Sequence, residues 1–255
     1  VAFSIITSDN GKRQSKASRR AISAARHRRK SRDESVAGVL KVTTHAGIWV
    51  VRFNNPKLGI ELGVDRHQEA RILDLIQDLP CAPQVISNQP DAGILITEFI
   101  DAPALTPAEL QHSNCQQQLA QALNSIHQLA YQHLPSRLDQ RLQRYLQHIP
   151  NAPLDLAQRL QDTIKQLDTL GFWARCQCLY HSDLNPHNIL GCRRPVLIDW
   201  EFAGQGHALL DWLIMEHEFQ TDLSPYYPAD TDSRWLHPLQ SLVADLMQLW
   251  SHRLT

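Results

Sequence analysis

Leu179-Tyr180-His181-Ser182-Asp183-Leu184-Asn185-Pro186-His187-Asn188-Ile189-Leu190 is the most informative stretch of the chain. Eleven residues after Asn188 comes Asp199, at the end of the apolar run Val196-Leu197-Ile198 and just ahead of Trp200-Glu201. The pattern is His-x-Asp, four residues, Asn, then a hydrophobic strand that ends in Asp. Phosphoryl transfer gives these residue types a common purpose. A carboxylate beside an acceptor hydroxyl can orient it and take its proton. A second carboxylate and an amide oxygen are hard ligands suited to Mg2+, which neutralises charge on the phosphates. On this reading Asp183 is the base, Asn188 and Asp199 hold the metal, and His181 braces the loop through hydrogen bonds. The plainer alternative is a polar loop in a helical protein with an Asp that happens to end a strand; order, spacing and apolar flanks together speak against it.

Upstream of this centre the texture is β-rich. Val39–Thr43 and Ile48–Phe53 are short runs of strand-forming residues separated by Thr44-His45-Ala46-Gly47, which predicts a hairpin closed off by Asn54-Asn55-Pro56. Residues 65–79 carry Ala70, Leu73 and Ile76 at helical spacing, and Pro80 and Pro83 stop that helix. Two more strands are expected at 84–87 and 94–100. Beyond Pro103 and Pro107 the apolar period becomes helical: 114–134, with Leu119, Leu123, Ile126 and Ala130 on one face, then 137–148, 154–170, 207–220 and 233–253. A short strand at 195–198 interrupts them. The expected class is α+β: a small antiparallel β lobe over residues 38–102, and a larger helical lobe over 103–255.

Residues 1–37 differ from the rest. Residues 12–32 hold ten Lys/Arg and no acid, leaving 15 basic and 26 acidic residues elsewhere, although the whole chain has a formal net charge of -1. Such a segment reads as a solvated or disordered arm, or as a patch for an anionic partner. An acidic body makes nucleic acid an unlikely partner for the protein as a whole. No run of 18 apolar residues predicts a membrane span. Five cysteines at irregular spacings point to a reduced, cytoplasmic protein and not to a disulfide framework or a zinc site.

The pair HSDLNPHNIL and LIDWEFAG resembles the aminoglycoside phosphotransferase / choline kinase superfamily, most of all its choline kinase-like and thiamine kinase-like bacterial members, in which D-W-E-[YF]-[AS]-G is typical. The resemblance covers roughly residues 40–220. It implies a two-lobed protein-kinase-like fold, with ATP and Mg2+ as cofactors and a small-molecule alcohol as acceptor. Carried over by position, Arg52 takes the place of the phosphate-pairing Lys and Glu69 in the following helix is its ion-pair partner. Glu98-Phe99-Ile100 becomes the segment joining the lobes, with the backbone of Glu98 and Ile100 meeting the adenine edge. His127 becomes a structural helix histidine, Asp211 the brace of the catalytic loop, and Glu201 an aid to metal or acceptor.

One part of the family pattern is missing. Where these enzymes carry a Gly- and Ser/Asn-rich turn over the nucleotide phosphates, this chain reads RRKSRDESVAGVLKV, with Gly38 as its sole glycine. Backbone N–H groups reach phosphate through small residues. The first residue is Val and the composition changes abruptly near residue 37, so a frameshifted, mis-started or otherwise altered N-terminus is expected; a catalytically impaired pseudokinase is the alternative. The helical lobe offers Trp200, Glu201, Trp212, Glu216, Glu218, Tyr226, Tyr227 and Trp235 for a cationic acceptor. Choline, ethanolamine or thiamine is favoured by the resemblance of DWEFAG, with an aminoglycoside as the alternative.

Overall fold

The computed structural model describes residues 37–45, 47–54, 64–131, 137–148 and 153–253. The basic segment, the stretch expected to cover the phosphates and the Asn55-Pro56 strand terminator lie outside them, apart from Ala37 onward. The chain divides into two compact units, one running to Gln77 and taking in Pro83–Asp101, the other made of Asp78–Ala82 and Ala102–Thr255.

Among the described residues, the first unit is a four-stranded antiparallel sheet with one helix. Its strands are β1 (Ala37–Thr44), β2 (Gly47–Asn54), β3 (Val85–Gln89) and β4 (Ile94–Glu98), in the order β1-β2-β4-β3. The β1–β2 hairpin pairs Thr44 with Gly47 and Val42 with Trp49. Thr44 Oγ1 organises the turn: it accepts from Gly47 N–H and from Trp49 Nε1–H. Alternation along β2 and β4 turns Val51, Ile94 and Ile96 into a small buried cluster. Helix α1 (Arg66–Ile76) is capped by Asp65, whose carboxylate accepts from His67 N and Gln68 N. It buries Ile72, Leu73 and Ile76 at the spacing of one helix face and, alongside them, the charged Glu69.

The described residues of the second unit form six helices: α2 (Pro107–Leu110), α3 (Ser113–His127), α4 (Leu138–His148), α5 (Leu154–Thr169), α6 (Leu209–Phe219) and α7 (Ser233–Arg253). Its main core joins Leu142, Leu160, Phe172, Leu213, Leu242 and their neighbours from α4 to α7. Helix α3 is shorter than the expected 114–134. Its apolar stripe ends at buried Ile126, while Ala130 is exposed and gives the helix no packing reason to continue. Helix α2 opens on a capping box between Thr106 and Glu109, a signal the sequence reading passed over. No helix among the described residues is long and apolar enough to cross a membrane.

Two small ladders interrupt these helices. Strand β5 (Cys178–Tyr180) pairs with β8 (Gly204–Gly206), and β6 (Ile189–Leu190) pairs with β7 (Val196–Leu197). Neither β5 nor β8 was among the expected strands. Two or three residues are too few for alternation to register in the sequence. The β5–β8 contact depends on Gly206: a Cβ there would come within 2.5 Å of the Tyr180 ring. Gly206→Ala is therefore expected to displace a fully buried tyrosine, costing ~1–3 kcal/mol and lowering Tm by several degrees in thermal denaturation.

Candidate active site

Strand β5 leads into His181-Ser182-Asp183, and the chain bends at Ser182, whose φ of 72° lies in the left-handed region. A serine there costs on the order of 1 kcal/mol or more and persists only where its surroundings hold it. Asp211, in the first turn of α6, does this. Its Oδ2 accepts the His181 N–H and its Oδ1 the Ser182 N–H, each at 2.9 Å, and Oδ2 also accepts from His127 Nε2 at 2.9 Å. The carboxylate is fully buried. Three donors and the positive end of a helix make that burial tolerable.

His181 is also fully buried, with its ring against Trp200 at 4.5 Å between centroids. Its Nε2–H donates to the Ile198 carbonyl at 3.0 Å, and its Nδ1 accepts the Asp183 N–H at 3.3 Å. This is the bonding pattern of a neutral imidazole. Burial pushes its pKa down to about 4.

Asp183 is locked by two amides. Asn185 Nδ2 donates to its Oδ1 at 3.1 Å, and Asn188 Nδ2 donates to its Oδ2 at 2.8 Å and to its backbone carbonyl at 2.9 Å. Burial pushes the Asp183 carboxyl up to about 6 against those two bonds, and the charges of Glu201 and Glu218 push the same way. Asn188 itself is buried and sits at the end of the 3-10 turn Pro186–Asn188, which Asn185 caps through a bond to His187 N. With its Nδ2 committed to Asp183, the Asn188 Oδ1 accepts no hydrogen bond among the described residues.

The β6–β7 ladder brings Asn188 opposite Ile198, the residue before Asp199. Ile189 pairs with Leu197, and one step further the Ile198 N–H donates to the Asn188 carbonyl at 3.0 Å. Asp199 follows immediately, half-buried and with a φ of 66°, a conformation Asp tolerates better than most residues. An amide oxygen and a carboxylate thus leave the same end of one hairpin. Hard oxygen donors of these two types are the kind that would hold a Mg2+ ion.

In the first unit Arg52 of β2 forms a salt bridge with Glu69 of α1, and Arg66 holds the other Glu69 oxygen at 2.9 Å. Glu69 is 4% exposed, so the two guanidiniums are what make its burial possible. Glu98 ends β4, its N–H bonded to the Gln84 carbonyl at 2.9 Å, whereas the Ile100 N–H finds no backbone partner among the described residues.

Several residues read from the sequence as acceptor-binding are committed elsewhere. Trp200, Trp212 and Trp235 are buried, and Tyr226 stacks on Trp212. Glu216 accepts from the Tyr227 hydroxyl at 2.5 Å and from Leu223 N–H at 2.8 Å. Of that set, Glu201 and Glu218 are the two whose charge bears on Asp183. One residue was missed. Arg141 on α4 is buried and reaches Ser182 and Phe202. The sequence did carry a signal: Leu138, Arg141, Leu142 and Tyr145 share the helix stripe that packs inward, and a cation in such a stripe needs a reason.

A small antiparallel sheet unit and a larger helical unit are the two parts of a protein-kinase-like phosphotransferase fold. A model of the phosphotransferase enzyme family (APH) matches residues 28–241, and the chain belongs to that family. The match begins at residue 28, within the segment expected to be altered. No curated protein matches the chain by sequence. Among solved structures it is similar to the choline kinase LicA from Streptococcus pneumoniae, with a TM-score of 0.72 and 19% identity over 91% of this chain and 89% of that one. An ethanolamine kinase from Plasmodium vivax gives a TM-score of 0.65 and 17% identity over 86% and 74%. The spectinomycin phosphotransferase APH(9)-Ia, solved with ADP and spectinomycin, gives 0.51 and 14% over 87% and 82%. At such identities the likeness establishes the fold: α+β, two-lobed and kinase-like.

Because the His181 pKa is depressed, the unfolded chain takes up a proton that the folded chain refuses. His181 therefore destabilises the fold as pH falls from about 6.5 towards about 4, by about 3 kcal/mol across that window. Urea denaturation at a series of pH values should show a steeper acid loss for the wild type than for His181→Gln; equal slopes would count against a buried neutral imidazole.

Proposed function

We propose that this phosphotransferase moves the γ-phosphate of ATP to a hydroxyl of a small cationic alcohol of the choline, ethanolamine or thiamine type. The observation that carries the proposal is the state of Asp183: a half-buried carboxylate fixed by two amides, raised in pKa, with two more carboxylates acting on it.

Asp183 orients the acceptor hydroxyl and takes its proton as the oxygen attacks phosphorus. A carboxylate pushed up to about 6 is a better base than one in water and is still mostly ionised at neutral pH. Asn185 and Asn188 hold its two oxygens so that no rotation is needed at the moment of transfer. Asn188 Oδ1 and the Asp199 carboxylate would hold Mg2+. When bound, the ion neutralises charge on the transferring phosphoryl group. His181 acts on the backbone and exchanges no proton, since both ring nitrogens are occupied.

In the sheet unit, Arg52 would pair with phosphate while Glu69 and Arg66 fix its direction. The Ile100 N–H and the backbone at Glu98 would take the adenine edge. The cationic character of the acceptor rests on Glu201 and Glu218, and the preference over an aminoglycoside on the resemblance of DWEFAG. Their negative charge close to the base favours a substrate that brings a positive charge. A quaternary or primary ammonium relieves that repulsion, whereas a neutral sugar alcohol would not.

The deciding assay incubates the protein with [γ-32P]ATP, Mg2+ and a panel of choline, ethanolamine, thiamine and an aminoglycoside, and follows label transfer. Transfer to one of the first three is expected. Transfer to the aminoglycoside alone would overturn the acceptor assignment, and none at all would favour an impaired enzyme.

Two substitutions sharpen this. Asp183→Ala is expected to reduce kcat by about 10²–10⁴-fold, the usual scale for a lost general base, with Tm unchanged or raised because a half-buried carboxylate with a raised pKa is removed. Activity retained in the folded variant would refute the role of Asp183. Glu218→Gln should raise KM for the cationic acceptor several-fold and leave KM for ATP unchanged.

A further inference from the structure

Arg141 lies on α4, in the stripe that carries Leu138, Leu142 and Tyr145 into the core, and it is 8% exposed. Burying a guanidinium costs several kcal/mol unless its donors are met. Its hydrogen-bond partners here are neutral, and the Asp183 carboxylate acts on it through charge without a hydrogen bond. Nη1 donates to the Phe202 carbonyl, and Nη2 donates to Ser182 Oγ and, at 3.2 Å, to the Tyr180 hydroxyl. The Phe202 ring lies 5.7 Å from the guanidinium carbon, and Nε has no partner among the described residues. As a device for stability this is poor: an apolar side chain of similar volume would fill the stripe at less cost.

The two bonded segments give the cation a different purpose. Ser182 precedes Asp183 and sits in the left-handed conformation that aims the loop. Phe202 closes the 3-10 turn that begins directly after Asp199. One planar fork therefore spans the two stretches of chain that bear Asp183 and Asp199. A guanidinium holds its nitrogens at fixed separation and angle, so bonding both ends sets the distance between the stretches.

We propose that Arg141 is a positioning residue for phosphoryl transfer, clamping the Asp183 segment to the Asp199 segment through Ser182 Oγ and the Phe202 carbonyl. This rests on the roles given above to Asp183 and Asp199. It assigns Arg141 no contact with substrate. Loss of the clamp leaves the two segments held by the His181–Ile198 bond and the β6–β7 ladder alone, and misplacements on the order of 1 Å are enough to cost about 100-fold in rate.

The test compares Arg141→Met, Arg141→Lys and Ser182→Ala with the wild-type full chain in two independent measurements. In steady-state kinetics, Arg141→Met is expected to lower kcat by about 30- to 100-fold with KM for ATP within about threefold of wild type. Arg141→Lys, which reaches one partner at a time, should fall between. Combining Arg141→Met with Ser182→Ala should cost little more than Arg141→Met alone, because both remove the same link. In amide hydrogen exchange, Arg141→Met should speed exchange at residues 181–183 and 201–203 together. An unchanged kcat in a folded Arg141→Met variant, or faster exchange in one segment alone, would overturn the clamp. If Arg141→Met does not fold, Arg141→Lys and Ser182→Ala carry both measurements. Should the wild type transfer phosphate to no acceptor, the functional reading fails while the exchange result still decides whether Arg141 couples the segments.

Discussion

The carboxylate of Asp211 is the point from which the helical unit's chemistry is built. It has no solvent contact, and it accepts from two consecutive backbone N–H groups of the loop and from His127 on α3. Consecutive N–H groups converge on one carboxylate only where the backbone turns sharply, which is what the left-handed Ser182 provides. The local cost of that conformation is offset by bonds to a charged acceptor in a low-dielectric setting. Asp183 emerges from this bend with its direction already decided, and its two amide partners complete the fixing.

A second constraint comes from main-chain pairing. The β6–β7 ladder is two residues long, yet it fixes Asn188 relative to Asp199 because backbone register is discrete: a slip of one residue would turn each side chain to the opposite face. The loop and the ladder meet at His181, whose ring ties the residue before Ser182 to the Ile198 carbonyl of the strand's end. Arg141 adds a third tie through Ser182 Oγ and the Phe202 carbonyl. The site is thus a set of short segments held by buried polar groups, each with named partners, and not a product of the apolar core alone. Groups of this kind are expensive to bury and worth keeping where a fixed geometry is needed.

Much of this was legible in the sequence, for reasons that differ from element to element. The β1–β2 hairpin, α1 and the long helices of the second unit announce themselves by periods of 2 and 3.6. Asp183, Asn188 and Asp199 stood out because polar residues at fixed spacing inside apolar flanks are uncommon, whereas Asp211 was suggested only through a family likeness. Arg52 and Glu69 lie 17 positions apart, and the sequence suggested their pairing only through a family likeness; the fold joins them by packing α1 against the sheet. What escaped was short or indirect. Strands β5 and β8 have no period to read, the capping box of α2 was overlooked, and α3 stopped where its stripe ran out of packing partners. The aromatic residues seemed available for an acceptor because composition does not distinguish a buried tryptophan from an exposed one.

The sequence by itself therefore determined the class of chemistry, since an Asp, an Asn and a second Asp at these spacings suit few purposes besides phosphoryl transfer, and it determined the α+β division, since that follows from hydrophobic period. Only the tertiary structure decided which charges bear on one another. Glu201 and Glu218 act on Asp183 while Glu216 is spent on Tyr227, and Arg141 belongs to the loop 41 residues away because α4 lays its stripe against it. Electrostatic influence and hydrogen bonding depend on distance through space and on burial, and neither quantity is written in the linear order of residues.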